Sequence, residues 1–95
     1  MKKQRSSSDW TVEFKKSAAK ELRKLPQNAK KRITEKIETV LANNPYVGDK
    51  LSGNFEGLWE YRISEYRVIY EIQKNILVIL VVKIADRKDA YSLPS

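Results

Sequence analysis

A β-hairpin with a very short turn is the strongest structural signal in this sequence. The segment Trp59 to Ile72 reads W-E-Y-R-I-S-E-Y-R-V-I-Y-E-I, and its aromatic and β-branched residues favour strands. A two-residue turn at Ser64-Glu65 would place Arg62 directly opposite Arg67 on the neighbouring strand. The predicted hairpin therefore fixes the register of two strands and the position of two guanidinium groups.

The paired arginines also predict a binding function. Like charges directly opposite each other on one face of a sheet destabilise it by roughly 0.2–1 kcal/mol, so a sequence shaped for stability alone would avoid this pair. An anion between them would remove the repulsion, and arginine binds phosphate through a planar, bidentate fork. We therefore predict an anion-binding site at Arg62 and Arg67. The alternative is that Arg62 only forms a cross-strand ion pair with Glu60 or Glu71.

Composition and charge limit the class of protein. A chain of 95 residues with 33% charged and 41% apolar residues suits one globular domain with a modest core. The formal net charge is +7, and it is concentrated at one end, because residues 1–36 hold twelve Lys/Arg against four Asp/Glu. This excess predicts a polyanion as partner. A solvated, lysine-rich surface is the alternative explanation.

Two absent residue types exclude several mechanisms. The sequence has no cysteine and no histidine, which excludes disulfides, thiolate chemistry, imidazole acid–base catalysis and zinc sites. No 18-residue apolar stretch is present, and the polar, basic start does not read as a secretory signal. We expect a cytoplasmic protein without a membrane span.

The order of the predicted elements indicates an α+β fold. The elements are a strand at 10–14, a helix that ends at Pro26, a second helix capped by Asn28, a loop at 46–57, and strands at 58–63, 66–72 and 76–84. This β-α-α-β-β-β order predicts a helical hairpin packed on one face of a small, mainly antiparallel sheet. The last strand is almost wholly apolar, as a central strand is. Residues 1–9 read as a flexible basic arm, and residues 10–95 as a single domain.

Alternation along the predicted hairpin separates two faces. The residues expected to meet the helices are Trp59, Tyr61, Tyr66, Val68, Tyr70 and Ile72. The residues expected on the other face are Glu60, Arg62, Arg67, Ile69 and Glu71. The paired arginines should therefore point away from the helices, towards solvent or a partner.

Four phrases, in this order, resemble the RelE/ParE superfamily of bacterial type II toxins. They are A-x-K-E-L-R-K-L-P ending at Pro26, K-L-S-G at 50–53, the hairpin phrase at 58–72, and I-A-D-R-K-D-A-Y at 84–91. The resemblance covers nearly all of the chain from Trp10 to Tyr91. The family's fold agrees with the element order deduced from the residues.

The resemblance implies a function and partners. Toxins of the RelE branch are mRNA interferases, endoribonucleases that enter the ribosomal A site and cleave mRNA there. The ribose 2′-OH attacks the adjacent phosphate, and the reaction needs neither a metal nor another cofactor. A RelB-like antitoxin encoded beside the toxin holds it inactive in a hetero-oligomer. The expected partners of this chain are therefore an antitoxin, the ribosome and mRNA.

The resemblance also assigns site residues. Matched by position, the catalytic residues are Arg62, Arg67, Arg87 and Tyr91. Two positions depart from the family pattern, because Glu60 stands where a second cation is frequent and Asp86 where many relatives have histidine. Both departures remove positive charge or acid–base capacity from the site.

The sequence leaves two candidates for the general base, Tyr91 and Glu60. The hard step is charge build-up on a pentavalent phosphorane, which arginines stabilise. Tyr91 as base would have to ionise about three units below its usual pKa of about 10, at a cost of about 4 kcal/mol. Glu60, already ionised and diagonal to the arginine pair, is the alternative base. Tyr91 would then stack on a nucleobase, or anchor the end of the chain.

A second group of basic residues predicts contacts to ribosomal RNA. These residues are Lys20, Arg23, Lys24, Lys30, Lys31 and Arg32. Their density, together with the basic arm that precedes them, favours contacts to rRNA phosphates over a merely solubilising surface.

Two other functions remain open for the same fold. The ParE branch poisons DNA gyrase and cleaves no RNA. A relative that has lost toxicity would be a non-catalytic module that only binds an antitoxin.

Overall fold

The fold begins with a short edge strand and two helices, β1 (Thr11–Phe14), α1 (Lys16–Arg23) and α2 (Gln27–Lys36). They are the first elements of a computed structural model that describes residues 10–86. Pro26 separates the two helices because it cannot continue a helix that precedes it.

The start of α2 differs from the prediction. Pro26, with its fixed φ, serves as the N-cap residue, and α2 begins at Gln27. The predicted cap at Asn28 is therefore wrong. Its side-chain oxygen accepts a bond from the backbone N–H of Ala29, 3.1 Å away, on the exposed surface.

The helix α2 continues into a π-helical turn, Ile37–Leu41. Ile33, Ile37 and Leu41 are buried in succession, and they form the apolar stripe with which this helical segment packs into the core. A 3-10 turn at Pro45–Val47 then leads the chain to the far edge of the sheet.

Four further strands complete one five-stranded sheet. They are β2 (Asp49–Lys50), β3 (Trp59–Ile63), β4 (Tyr66–Gln73) and β5 (Val78–Asp86). The strand order is β1-β5-β4-β3-β2, in which β1 runs parallel to β5 and the other pairs are antiparallel. The predicted α+β architecture and the interior position of the last strand are confirmed. The strand β2 lies inside the predicted loop at 46–57. The sequence did not predict it, because a strand of two residues shows no alternation of apolar and polar residues.

One face of the sheet carries the core. The buried residues of this core are Ala18, Ile33, Ile37, Leu41, Ile63, Val68, Tyr70, Ile79, Val81 and Ile84. All six hairpin residues that the sequence assigned to the helix side belong to this core or pack against it. The assignment of faces is confirmed, and we call the opposite side the outer face of the sheet.

Tyr70 connects the hairpin to the loop that leads into β2. Its hydroxyl donates to the backbone oxygen of Pro45, 2.6 Å away. A Cβ atom on Gly48 would lie 2.6 Å from the carbonyl oxygen of Glu60 and closer still to the Tyr70 hydroxyl. Glycine is therefore required there to let the edge of the sheet approach β3.

Within residues 10–86, none of the helices has the length and apolar character needed to cross a membrane.

Candidate anion-binding site on the outer face

The predicted hairpin register is confirmed. Ser64 and Glu65 form the two-residue turn between β3 and β4, and Arg62 lies directly opposite Arg67. Ser64 adopts φ of 57°, a left-handed conformation that is uncommon for a residue other than glycine. Arg32 of α2 donates a 2.8 Å hydrogen bond from Nη1 to the Ser64 hydroxyl, so a helix holds the turn that positions the arginine pair.

A carboxylate of the same sheet face lies beside this pair. Glu60 forms an ion pair with Arg67, between Oε2 and Nη1, and only 8% and 18% of the two side chains are exposed. The pairing is diagonal, because Glu60 lies directly opposite Ile69. Arg62, in contrast, is exposed. The sheet thus supplies its own counter-ion to one arginine of the like-charged pair.

The residue pair next to the two arginines on the outer face is acidic. Asp49 of β2 lies directly opposite Glu60, so an acidic pair runs beside the basic pair of Arg62 and Arg67. Ile69 next to Glu60 is 1% exposed. Because Glu60 is buried among such neighbours, its charge is compensated chiefly by Arg67 rather than by water.

Glu21 is a structural residue that sequence reasoning missed. The strand β1 covers β5 only as far as Val81, and α1 passes the part of β5 beyond it. There one Glu21 carboxylate oxygen accepts from the backbone N–H of Ile84 at 2.9 Å, and the other pairs with Lys83 Nζ at 3.1 Å. Residues 21 and 84 are separated by 63 positions, so no local sequence pattern predicts the contact between them.

The remaining predicted site residues fall into two groups. Arg87 and Tyr91 lie outside the described residues, and so does the predicted arm at 1–9. Asp86 is the last residue of β5, and the preceding Ala85 lies directly opposite Arg67. The end of β5 therefore lies beside the arginine pair.

The predicted rRNA-binding residues lie on the helical side of the molecule. Lys20 and Arg23 belong to α1, Lys24 caps its C-terminus, and Lys30, Lys31 and Arg32 belong to α2. Lys30 is half-buried and the other five are exposed. The helices pack on the core face, so the sheet lies between this basic surface and the outer face, except at Arg32, which reaches the hairpin turn at Ser64.

Comparison with known proteins identifies the class. Residues 12–91 match the family described as the ParE toxin of the type II toxin–antitoxin system parDE. The chain therefore belongs to this toxin family, within the RelE/ParE superfamily that its sequence resembles.

Individual relatives carry the RelE name. The chain is 32% identical over 78 residues to Toxin RelE of Mycobacterium tuberculosis, covering 81% of this chain and 80% of that protein. It is 34% identical over 90 residues to the putative toxin RelE1 of Methanocaldococcus jannaschii, covering 90% and 98%.

Solved structures agree with this membership. In the toxin–antitoxin complex RelBE2 of Mycobacterium tuberculosis, the similar chain gives a TM-score of 0.78 at 26% identity, covering 82% of this chain and 98% of that one. A chain of the archaeal RelE–RelB complex from Pyrococcus horikoshii gives 0.69 at 29% identity, covering 85% and 98%. The protein is a toxin of a type II toxin–antitoxin system.

Proposed function

We propose that this toxin is a ribosome-dependent endoribonuclease that cleaves mRNA in the A site. The observation that carries the proposal is the register of Arg62 against Arg67 on the outer face. Two guanidinium groups held together at a cost to stability are suited to a phosphate group. The RelE names of the two relatives above support the same activity.

The proposed reaction is an internal transesterification. The ribose 2′-oxygen forms a bond to the adjacent phosphorus, the bond from phosphorus to the 5′-oxygen breaks, and a 2′,3′-cyclic phosphate results. The proton of the 2′-OH passes to a base, and the 5′-oxygen takes up a proton as it leaves. Arg62 and Arg67 would stabilise the charge of the phosphorane, and Arg87 would add a third cation.

The assignment of the base belongs to the proposal. Tyr91 and Glu60 are the two candidates from the sequence. The ion pair with Arg67 commits the Glu60 carboxylate to another partner, which favours Tyr91. This chemistry would require no metal, because the arginines supply the positive charge.

We further propose that a RelB-like antitoxin binds this toxin and holds it inactive in the cytoplasm. Solved relatives are toxins of RelB–RelE complexes from Mycobacterium tuberculosis and Pyrococcus horikoshii. The basic helical surface, which includes Lys20, Arg23 and Lys31, would contact ribosomal RNA when the antitoxin is absent.

Primer extension on mRNA from a cell-free translation extract tests the proposal. We expect the wild-type protein to produce codon-phased cuts in translated mRNA. Arg62→Ala and Arg67→Ala should each lower cleavage by roughly 10²–10³-fold, as the loss of one stabilising donor does. Lys74→Ala removes an exposed cation from the turn between β4 and β5 and should cleave normally. Absence of cuts with folded wild-type protein would refute the ribonuclease assignment.

One observation favours a second candidate function. The matching family is named for ParE, and that branch is expected to act on DNA gyrase. Trapped cleavage complexes in a gyrase supercoiling assay, without RNA cuts, would support this alternative. Normal growth of cells that express soluble toxin alone would instead support a non-catalytic antitoxin-binding protein.

A further inference from the structure

We propose that Glu60 is a built-in competitor of the RNA phosphate. Its carboxylate occupies Arg67 in the free toxin, and the substrate must take over that guanidinium to bind fully. The inference rests on the proposed function, because it assumes that the phosphate binds at Arg62 and Arg67. It adds a residue that sets the strength of that site.

The geometry gives Glu60 this position. It lies on β3, two residues before Arg62, and diagonal to Arg67 on the same outer face. Its carboxylate pairs with Arg67, and 6% of the residue is exposed. A buried pair is screened by salt far less than a surface pair, so the carboxylate and an incoming phosphate compete for Arg67 at short range.

The charges of the three side chains show the consequence. Arg62, Arg67 and Glu60 together carry a formal charge of +1, from two cations and one anion. A phosphodiester carries one negative charge, and the phosphorane carries a second. Without counting Asp49 or the proposed third cation Arg87, the three side chains balance the bound diester and fall one charge short of the phosphorane. Neutralising Glu60 would raise their charge to +2.

The same carboxylate explains how the toxin remains stable without RNA. Burying Arg67 without a partner would be costly, and the facing Arg62 adds repulsion. Glu60 offsets both effects in the free protein. Glu60 therefore stabilises the unbound fold and lowers the affinity for RNA.

A general base in the same position would behave in the opposite way. Removing a base lowers cleavage and leaves affinity for an uncleavable RNA nearly unchanged, whereas removing a competitor raises that affinity. The substitution Glu60→Gln separates the two, because glutamine keeps the shape and loses the charge.

The test measures binding of an uncleavable RNA. The probe is a fluorescent single-stranded oligoribonucleotide with every 2′-OH methylated, and affinity is read by anisotropy at several salt concentrations. We expect Glu60→Gln to bind about tenfold more tightly than wild type, since a like charge beside the phosphate is removed. The salt slope should steepen by about 0.7, as expected for one additional phosphate contact on a single strand.

Two controls give the result its specificity. Glu71→Gln removes the same charge on the same face, but lies four residues along β4 from Arg67, about 13 Å away. It should leave affinity within about twofold, because charges beyond a Debye length are largely screened. In an Arg67→Ala background, Glu60→Gln should no longer tighten binding, because the competition is for Arg67.

The outcomes are distinguishable. Equal or weaker binding by folded Glu60→Gln, or a gain that persists without Arg67, would overturn the inference. If Glu60→Gln does not fold, Glu60→Asp retracts the carboxylate by one methylene and should give a smaller gain, and no gain would equally overturn it. Tighter binding without ribosomal cleavage would retain this inference and refute the ribonuclease. Cleavage by the wild-type protein, together with weaker RNA binding by Glu60→Gln, would retain the ribonuclease assignment and refute this inference.

Discussion

At the residue scale, the sequence pattern predicted the position of Arg67 but not its ion-pair partner. The two-residue turn at Ser64-Glu65 forces Arg67 opposite Arg62, and this register was predictable because it depends on a few neighbouring residues. The sequence offered Glu60 and Glu71 as ion-pair partners of Arg62, whereas the structure pairs Glu60 with Arg67. Glu60 and Glu71 both lie on the outer face, and only side-chain packing in three dimensions decides which of them reaches a guanidinium.

Tyr70 carries a prediction at the same scale. Burial raises the pKa of its hydroxyl from 10.0 to about 12, and nearby Asp49 and Tyr61 add to the shift, although a backbone bond at Gly48 opposes it. The folded pKa lies above the unfolded value. The contribution to stability is therefore fully present below pH 10 and is lost as the pH rises from about 10 to about 12.

The expected loss in unfolding free energy across that window is about 3 kcal/mol at most, from a shift of about two units. Urea denaturation between pH 8 and pH 11.5 measures it. Tyr70→Phe should begin about 1 kcal/mol less stable, because it loses the bond to Pro45. Its stability should then fall less steeply above pH 10, and an unchanged slope would contradict the assignment to Tyr70.

At the scale of elements, the fold depends on the contact between helix α1 and the part of β5 that β1 does not cover. Helix α1 and strand β5 were both predicted from local patterns, yet nothing in either pattern shows that Glu21 accepts from the backbone of Ile84. The strand β2 and the start of α2 were also beyond local reasoning. A two-residue strand exists because β3 offers it an edge, and Pro26 fixes the helix start before Asn28 can cap it.

Glu21→Ala tests the connection between these elements. We expect the unfolding free energy to fall by about 1–3 kcal/mol, because the N–H of Ile84 loses its acceptor and Lys83 loses its carboxylate. Chemical denaturation measures the change. Glu35→Ala, at an exposed position of α2, provides the matched control. A loss no larger than that of the control would show that the contact contributes nothing.

The whole molecule carries a basic surface on its helices and an arginine pair on the opposite side of one sheet. The helical side carries the predicted rRNA contacts, and the outer face carries Arg62 and Arg67. In the proposed function, the helical side would bind the ribosome and the outer face would hold the mRNA phosphate. The separation implies that the two kinds of binding can be altered independently.

A triple substitution tests this independence. Replacing Lys20, Arg23 and Lys24 with glutamine should weaken association with 70S ribosomes, with a smaller salt dependence, because phosphate contacts are lost. Binding of the short methylated RNA at the outer face should change by less than about twofold, since the sheet separates the two surfaces. Ribosome co-sedimentation and anisotropy provide the two measurements. Parallel losses in both would contradict two separate surfaces.

The amino-acid order alone determines the features of this toxin that depend on nearby residues. They include the hairpin register, the faces of β3 and β4, the two helices and the opposed arginines, because turn length and alternation act over a few positions. Tertiary packing decides the partner of Arg67, the contact from Glu21 to β5 and the existence of β2. These features depend on residues that are close in space but on different elements, so the balance of charge in the site is a property of the folded molecule.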